Sequence, residues 1–181
     1  MTGAGQVEAA VDLCSESATR SFGAALGALL RTGDLVVLSG DLGAGKTVLA
    51  QGIGQALEVG DPVTSPTFVL VRSHRGRMAL HHADMWRLET LEEMADLGIA
   101  QMVEDGGVAV VEWGERAVPV LGNEYLRVEI FSPGTGGGQD GSATAVDECR
   151  RIRLRPVGPG WTARSSDLAE LASRWSGGSR A

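Results

Sequence analysis

The run Gly40-Asp41-Leu42-Gly43-Ala44-Gly45-Lys46-Thr47 carries residue types at a spacing that holds a polyphosphate. It matches G-x-x-x-x-G-K-[ST], in which glycines let the backbone curl around phosphate oxygens where a Cβ would collide. Successive N–H groups then form an anion nest, and the helix expected to begin near Lys46 adds the positive end of its dipole, ~0.5 of a charge. Lys46 would reach the β and γ phosphates while the Thr47 hydroxyl binds Mg²⁺. Lys46 is the only lysine in the chain, against 15 arginines. A planar guanidinium is a poor substitute for a compact ammonium in such a loop, so the one retained lysine sits where arginine would fail. Asp41 through Val48 is therefore the expected nucleotide-binding stretch. An Asn-Lys-x-Asp guanine reader is absent, since Lys46 is spent and Asn123 is the only asparagine, which leaves ATP as the expected nucleotide.

The surrounding elements have the order such a loop needs. Phe22, Leu26, Leu29 and Leu30 share one helical face between Cys14 and Arg31, and Gly33-Asp34 ends that helix. Residues 35–39 are apolar on both faces, as in a parallel strand covered above and below. Further strands are predicted at Phe68 to Arg72, Met78 to His82, Val108 to Glu112, Leu126 to Phe131 and Arg151 to Arg155. Helices are predicted at Thr47 to Leu57 and at Thr90 to Glu104, where Leu91, Met94 and Met102 would share a face and Gly98 is a weak point. The mixture predicts an α/β domain.

Two stretches carry no assigned chemistry. Residues 132–142, SPGTGGGQDGS, read as a glycine-rich loop between strands. After Pro156, Asp167 and Glu170 give a capping-box-like start to a helix with Leu168, Leu171, Ala172 and Trp175 on one face. The expected organisation is a nucleotide-binding domain over residues 1–156 and a tail, 157–181, with a short amphipathic helix that docks on the body or, alternatively, meets a partner. Arg151, Arg153 and Arg155 alternate with Ile152 and Leu154, so three charges share a strand face. That face is expected to be solvated or a protected sheet edge; the alternative is contact with an acidic partner or an RNA.

At 181 residues the chain fits a single domain, with 43% hydrophobic and 22% charged residues. Its net charge of −7 argues against gripping nucleic acid unaided. The start MTGAGQVEAAVDL lacks a basic segment leading into an apolar one, and no run nears ~18 apolar residues, so neither a signal peptide nor a membrane span is expected. Cys14 and Cys149 are too few and too far apart in sequence for a disulfide framework or a zinc site, and two reduced cytosolic thiols are expected.

Four motifs in order, GDLGAGKT (40–47), SPTF (65–68), HADMWR (82–87) and EWGER (112–116), resemble those of the TsaE (YjeE) family, small bacterial ATPases required for making threonylcarbamoyladenosine in tRNA. The likeness runs from about Ser15 through Ile130 and includes the lead-in GDLVVLS and the segment LEEMADLGI. It implies a P-loop NTPase-like fold, a mainly parallel central sheet flanked by helices with antiparallel strands added. It also implies cytoplasmic ATP hydrolysis in a complex with TsaD, which transfers the threonylcarbamoyl group, and TsaB. Hydrolysis would reset that complex between turnovers, and tRNA would be met only through it.

By this resemblance Glu112, closing the apolar run Val108 to Val111 like a Walker B acid, joins Thr47 as a metal ligand. Asp84 becomes the residue whose loss most damages turnover, by orienting the attacking water or through the metal's water shell. His82 organises the motif by hydrogen bonding, and Arg87 is expected to pair with Asp84, with contact to phosphate as the alternative. Trp86 stands where the family usually has tyrosine, leaving no hydroxyl. Thr67 is read as a switch residue that senses the γ-phosphate or its metal; Trp113 lies near the nucleotide or packs in the core. Two other readings remain: a P-loop small-molecule kinase, with Arg72, Arg75 and Arg77 as a lid, and a module that binds ATP without hydrolysing it.

Overall fold

The structure, a computed structural model, describes residues 8–132 and 149–176. Its strands are β1 (Ala9–Leu13), β2 (Leu35–Gly40), β3 (Val71–His74), β4 (Leu80–Asp84), β5 (Val108–Glu112), β6 (Tyr125–Phe131) and β7 (Arg150–Val157). They form one sheet in the order β1-β7-β6-β2-β5-β4-β3. The four central strands are parallel; β1, β7 and β3 add antiparallel edges. Val36, Leu38, Val108 and Val110 point to one face, and Leu35, Val37, Ala109 and Val111 to the other. Both faces are covered, which is why these strands read as unbroken apolar runs.

On the first face lie α1 (Glu16–Leu29), α2 (Lys46–Ala56) and α7 (Ser165–Ser176), with the short α6 (Pro159–Thr162) leading into α7. The second face carries α3 (Leu91–Asp96), α4 (Ile99–Glu104) and α5 (Val118–Leu121). Ser15 caps α1 by accepting from the Ala18 N–H, and Phe22 and Leu26, one turn apart, are wholly buried. The contact of α1 with α2 is a seam of small residues. A Cβ on Gly52 would stand 2.0 Å from the Arg20 carbonyl oxygen, and one on Gly23 2.4 Å from that of Leu49. Glycine here lets the two backbones touch and fixes the helix that begins at Lys46.

Several elements differ from their sequence expectation for identifiable reasons. The strand expected at Phe68 to Arg72 starts later, because the Val69 and Leu70 N–H groups both bond to the Pro66 carbonyl and Leu70 adopts φ 65. The segment 66–70 is thus a turn that leaves Phe68 85% exposed. The strand expected at Met78 to His82 runs instead from Leu80 to Asp84. The helix expected over Thr90 to Glu104 is two helices, broken where Gly98 takes φ 68. Thr90 and Glu93 form a capping box at its start, and Leu91 faces outward rather than sharing the buried face of Met94. The edge strand β1 and the turns after β5 had no strong periodic signal. In the tail, Leu168, Leu171 and Ala172 join the core, and Trp175 meets Phe22 edge to face. The glycine-rich loop lies, beyond Ser132, outside the described residues.

The expectation of two separate thiols is corrected: Cys14 and Cys149 form a disulfide, 135 residues apart in sequence. Antiparallel pairing of Leu13 with Arg150, carried one residue further, sets the two cysteines opposite each other. The three-arginine face of β7 is neutralised within the sheet. Arg151 pairs with Asp12, Arg153 with Glu8, and Arg155 with Glu8 and Glu129, so it is an ion-pair ladder rather than a bare basic stripe.

Candidate active site

The loop after β2 is shaped by its glycines. Gly40, Gly43 and Gly45 hold φ of 138, 78 and 107, and a Cβ on Gly40 would lie 2.2 Å from the Ile130 carbonyl oxygen. Within α2 the first ladder bond runs from the Leu49 N–H to the Gly45 carbonyl. The N–H groups of Lys46, Thr47 and Val48 therefore precede the ladder at the electropositive helix end.

Lys46 is buried, and its Nζ donates to the carbonyls of Gly40 (2.7 Å) and Asp41 (2.8 Å). Burial pulls the ammonium below the ordinary lysine range, while Glu112, Glu115, Asp84 and Asp41 pull it back up. The next residue, Thr47, places its hydroxyl 2.9 and 3.1 Å from the two carboxylate oxygens of Glu112, to which it donates. Glu112 is the last residue of β5, and His82 Nε2, fully buried on β4, donates to Glu112 Oε1 at 2.8 Å. The carboxylate is thus aimed by a hydroxyl on one side and an imidazole on the other.

Asp84 ends β4 directly opposite Glu112 in the parallel register. Its Oδ2 accepts from Thr67 Oγ1 at 2.6 Å and its Oδ1 from the Trp86 N–H at 2.9 Å. Ser65, part of the SPTF motif but given no role of its own in the sequence, bonds to Thr67 at 2.7 Å and extends this network. Arg87 does not pair with Asp84 as expected; its guanidinium lies over the Phe68 ring at 4.8 Å, because the turn at 66–70 presents that ring and Asp84 is already occupied.

These groups line one open cleft of about 340 Å³, which takes in Leu42, Gly43, Gly45, Lys46, Thr47 and Val48 on one wall and Thr67, Asp84, Glu112 and Trp113 on the other. Trp113 is half-buried with its ring under Lys46. Two loop residues turn elsewhere: Ala44 is buried in the core beneath the loop, and Asp41 lines a neighbouring depression with Glu115 and Glu129. Arg150, which no sequence signal marked, lies behind the loop: a Cβ on Gly45 would stand 3.3 Å from its Nε. The registers of β7 with β1 and with β6 bring it there. The arrangement offers one ammonium, one hydroxyl and two carboxylates around a backbone cup, a set suited to a metal-bound polyphosphate.

The family described as Threonylcarbamoyl adenosine biosynthesis protein TsaE matches residues 13–136. The tRNA threonylcarbamoyladenosine biosynthesis protein TsaE of Streptomyces coelicolor is 41% identical over 157 residues, 84% of this chain and 99% of the relative. The protein of that name from Mycobacterium tuberculosis is 47% identical over 122 residues, 62% of this chain and 72% of the relative. The crystal structure of Bacillus subtilis YdiB superposes with a TM-score of 0.70 at 25% identity, covering 95% of this chain and 98% of that one. The family match over most of the chain, the relatives and the superposition agree, and the chain belongs to the TsaE family.

Proposed function

We propose that this chain is the ATP-binding and ATP-hydrolysing subunit of the TsaB–TsaD–TsaE machinery that installs threonylcarbamoyladenosine in tRNA, and that hydrolysis resets the complex between turnovers. The observation that carries the reading is the contact between Thr47 and Glu112, a hydroxyl at a helix N-terminus against a strand-end carboxylate, 2.9 Å apart and beside a buried ammonium.

The residues fit Mg·ATP. The positive-φ glycines leave a cup without side chains, and Lys46 occupies it by bonding to two loop carbonyls that a phosphate would replace. Thr47 and Glu112 would hold Mg²⁺, which when bound draws charge from the phosphate oxygens. Among the described residues no three His, Cys, Asp or Glu side chains form a metal cage. Mg²⁺ needs none, since it keeps waters and takes phosphate oxygens beside one or two protein ligands. His82 holds the Glu112 carboxylate in orientation. Asp84, one strand over and tied to Thr67, would orient the attacking water, and Thr67 would report the γ-phosphate to the turn that carries Phe68.

Turnover by the isolated chain would be slow, because Arg87 is engaged by Phe68 and offers no internal finger for the developing charge. Leu42, Phe68 and Trp86 stand exposed at the cleft rim, an apolar edge that a protein partner would cover. The ion-paired β7 ladder and the net charge of −7 support an approach to tRNA through partners. No helix among the described residues is long and apolar enough to cross a membrane, and we place the work in the cytoplasm. Against the kinase reading, two of its three lid arginines are engaged elsewhere: Arg77 bonds to the carbonyls of Ala56 and Gly27 on α2 and α1, and Arg72 bonds to Thr64.

The test is phosphate release from Mg·ATP by the chain alone and with TsaB, TsaD and tRNA. Release that rises with the partners supports the reading, and ATP binding without release under any of these conditions rejects hydrolysis.

A further inference from the structure

The start of β7 holds two features that the reading above leaves unused. Cys149 is bonded to Cys14, and the next residue, Arg150, is laid against the phosphate loop. A Cβ on Gly45 would stand 3.3 Å from Arg150 Nε and 3.5 Å from its Cδ. That Nε is buried with no hydrogen-bond partner. Gly45 is the N-cap of α2, so a cation with an unpaired buried N–H is held at the positive end of a helix. Both circumstances are unfavourable without an anion and become favourable with one. The nearest other side chain, Thr19 at 3.8 Å from the same point, has its hydroxyl committed to the Ser15 carbonyl.

Arg150 is kept in place by the ladders of β7 with β1 and β6, by the Arg151–Asp12 pair beside it and by the bridge just beyond it. Cys14 directly precedes Ser15, the N-cap of α1, and α1 packs through its glycine seam on α2, the helix that Arg150 faces. The bridge therefore ties the strand bearing the arginine to the helix pair bearing the phosphate loop. Cys14 is exposed, within reach of a thiol in solution.

We propose that Cys14–Cys149 is a thiol–disulfide modification site that sets how Arg150 is presented to the nucleotide phosphates, so that opening the bridge weakens nucleotide binding. The inference rests on the nucleotide reading above. A dithiol reductant attacks one sulfur to form a mixed disulfide, and its second thiol displaces the cysteine. Two cysteine thiols and the oxidised reductant result, with two electrons and two protons passed to the protein. In the reduced chain this end of β7 keeps its backbone bonds and the Arg151–Asp12 ion pair but loses the covalent tie, and the helix end repels Arg150 from Gly45. In the bridged chain the arginine stays and adds a cation behind the phosphates. The coupling is reciprocal: if the bridge tightens nucleotide binding by some factor, nucleotide makes the bridge harder to reduce by the same factor.

The experiment uses the full chain, bridged or reduced with dithiothreitol, with thiol state read by mass after alkylation. Calorimetry should give a Mg·ATP affinity roughly tenfold tighter for the bridged form, the size of one charge-assisted contact. Mg·ATP should also shift the dithiol-to-disulfide ratio at half reduction by the same factor. Arg150→Ala should still form the bridge but bind like reduced protein and lose the shift, and Arg150→Lys should restore part of both. Cys149→Ser, checked for native circular dichroism, should match the reduced form. Equal affinities in the two states, or a redox shift that persists in Arg150→Ala, overturn the coupling. Bridged protein that binds no Mg·ATP at all overturns the nucleotide reading and this proposal with it.

Discussion

Lys46 Nζ lies 3.5 Å from the centroid of the Trp113 ring. Trp113 reaches this position through a backbone φ of 59, in the left-handed region where a non-glycine residue carries strain of about 1 kcal/mol or more. The strain is borne by firm neighbours: the Trp113 N–H bonds to the Leu38 carbonyl at 2.9 Å, and the Trp86 ring lies tilted against it, centroids 4.4 Å apart. The ammonium is thus boxed by two carbonyls and a π face. On the proposed nucleotide reading, phosphate oxygens would compete for all three contacts, and the lysine would be a latch for nucleotide to draw open.

Binding of Mg·ATP is therefore expected to change tryptophan emission as the charge leaves the ring. Trp113→Phe should abolish the change while calorimetry still detects binding; a change of the same size in Trp113→Phe would reject the latch. Lys46→Arg should bind at least roughly tenfold more weakly, because a guanidinium cannot form the same compact contact in so tight a box.

Asp84 and Thr67 are joined by a 2.6 Å hydrogen bond that ties the turn at 66–70 to the cleft end of β4. Asp84→Ala is expected to lower partner-stimulated phosphate release about 100-fold or more, the scale of a lost general base, with Mg·ATP affinity changed only a few-fold. Thr67→Val should lower release in the same direction by a smaller factor. Normal release by Asp84→Ala would remove the catalytic role assigned to that carboxylate. Release and calorimetric binding measured on the same preparations decide between catalysis and grip.

The helix that presents Lys46 depends on the α1–α2 seam. Gly52→Ala would drive a methyl to 2.0 Å from the Arg20 carbonyl oxygen, a backbone atom that cannot rotate away. A loss of roughly 2–3 kcal/mol is expected, at the upper end for overpacking. Gly60→Ala is the control, since a Cβ there meets nothing within 4 Å. Urea unfolding of the two variants checks the difference, and equal stability would mean that the helices slide apart at little cost.

How much of this was legible in the sequence follows from how local each signal is. The glycine loop that leads into α2 could be read because its glycines, Lys46 and Thr47 are contiguous and each answers a local backbone or charge requirement. Glu112 was legible because a carboxylate abruptly ends an apolar strand. The Asp84–Thr67 contact and the turn at Leu70 were not, since a positive φ at a leucine has no compositional marker. Thr90 to Glu104 read as one helix because periodicity survives a single αL glycine, whereas the chain direction does not. The Cys14–Cys149 bridge and the placement of Arg150 depend on antiparallel register between strands at opposite ends of the chain, which no window of sequence contains.

His74 on β3 is 2% exposed and its Nε2 has no hydrogen-bond partner. Burial is the main cause that lowers its pKa from 6.5, with repulsion from His82 and Arg72 in the same direction and Asp61 opposing. The unfolded chain thus holds a proton on this ring at pH values where the folded chain does not. Stability therefore rises with pH between the lowered folded pKa and about 6.5 and falls on acidification through that window. Above it His74 contributes no pH dependence. His81, also lowered by burial, adds to the same slope. His74→Gln should flatten the fall in unfolding free energy between about pH 7.5 and 5.5, with His81→Gln giving a separate share. Urea titrations at the two pH values measure it, and a slope unchanged in His74→Gln would show that the buried ring does not drive the acid sensitivity.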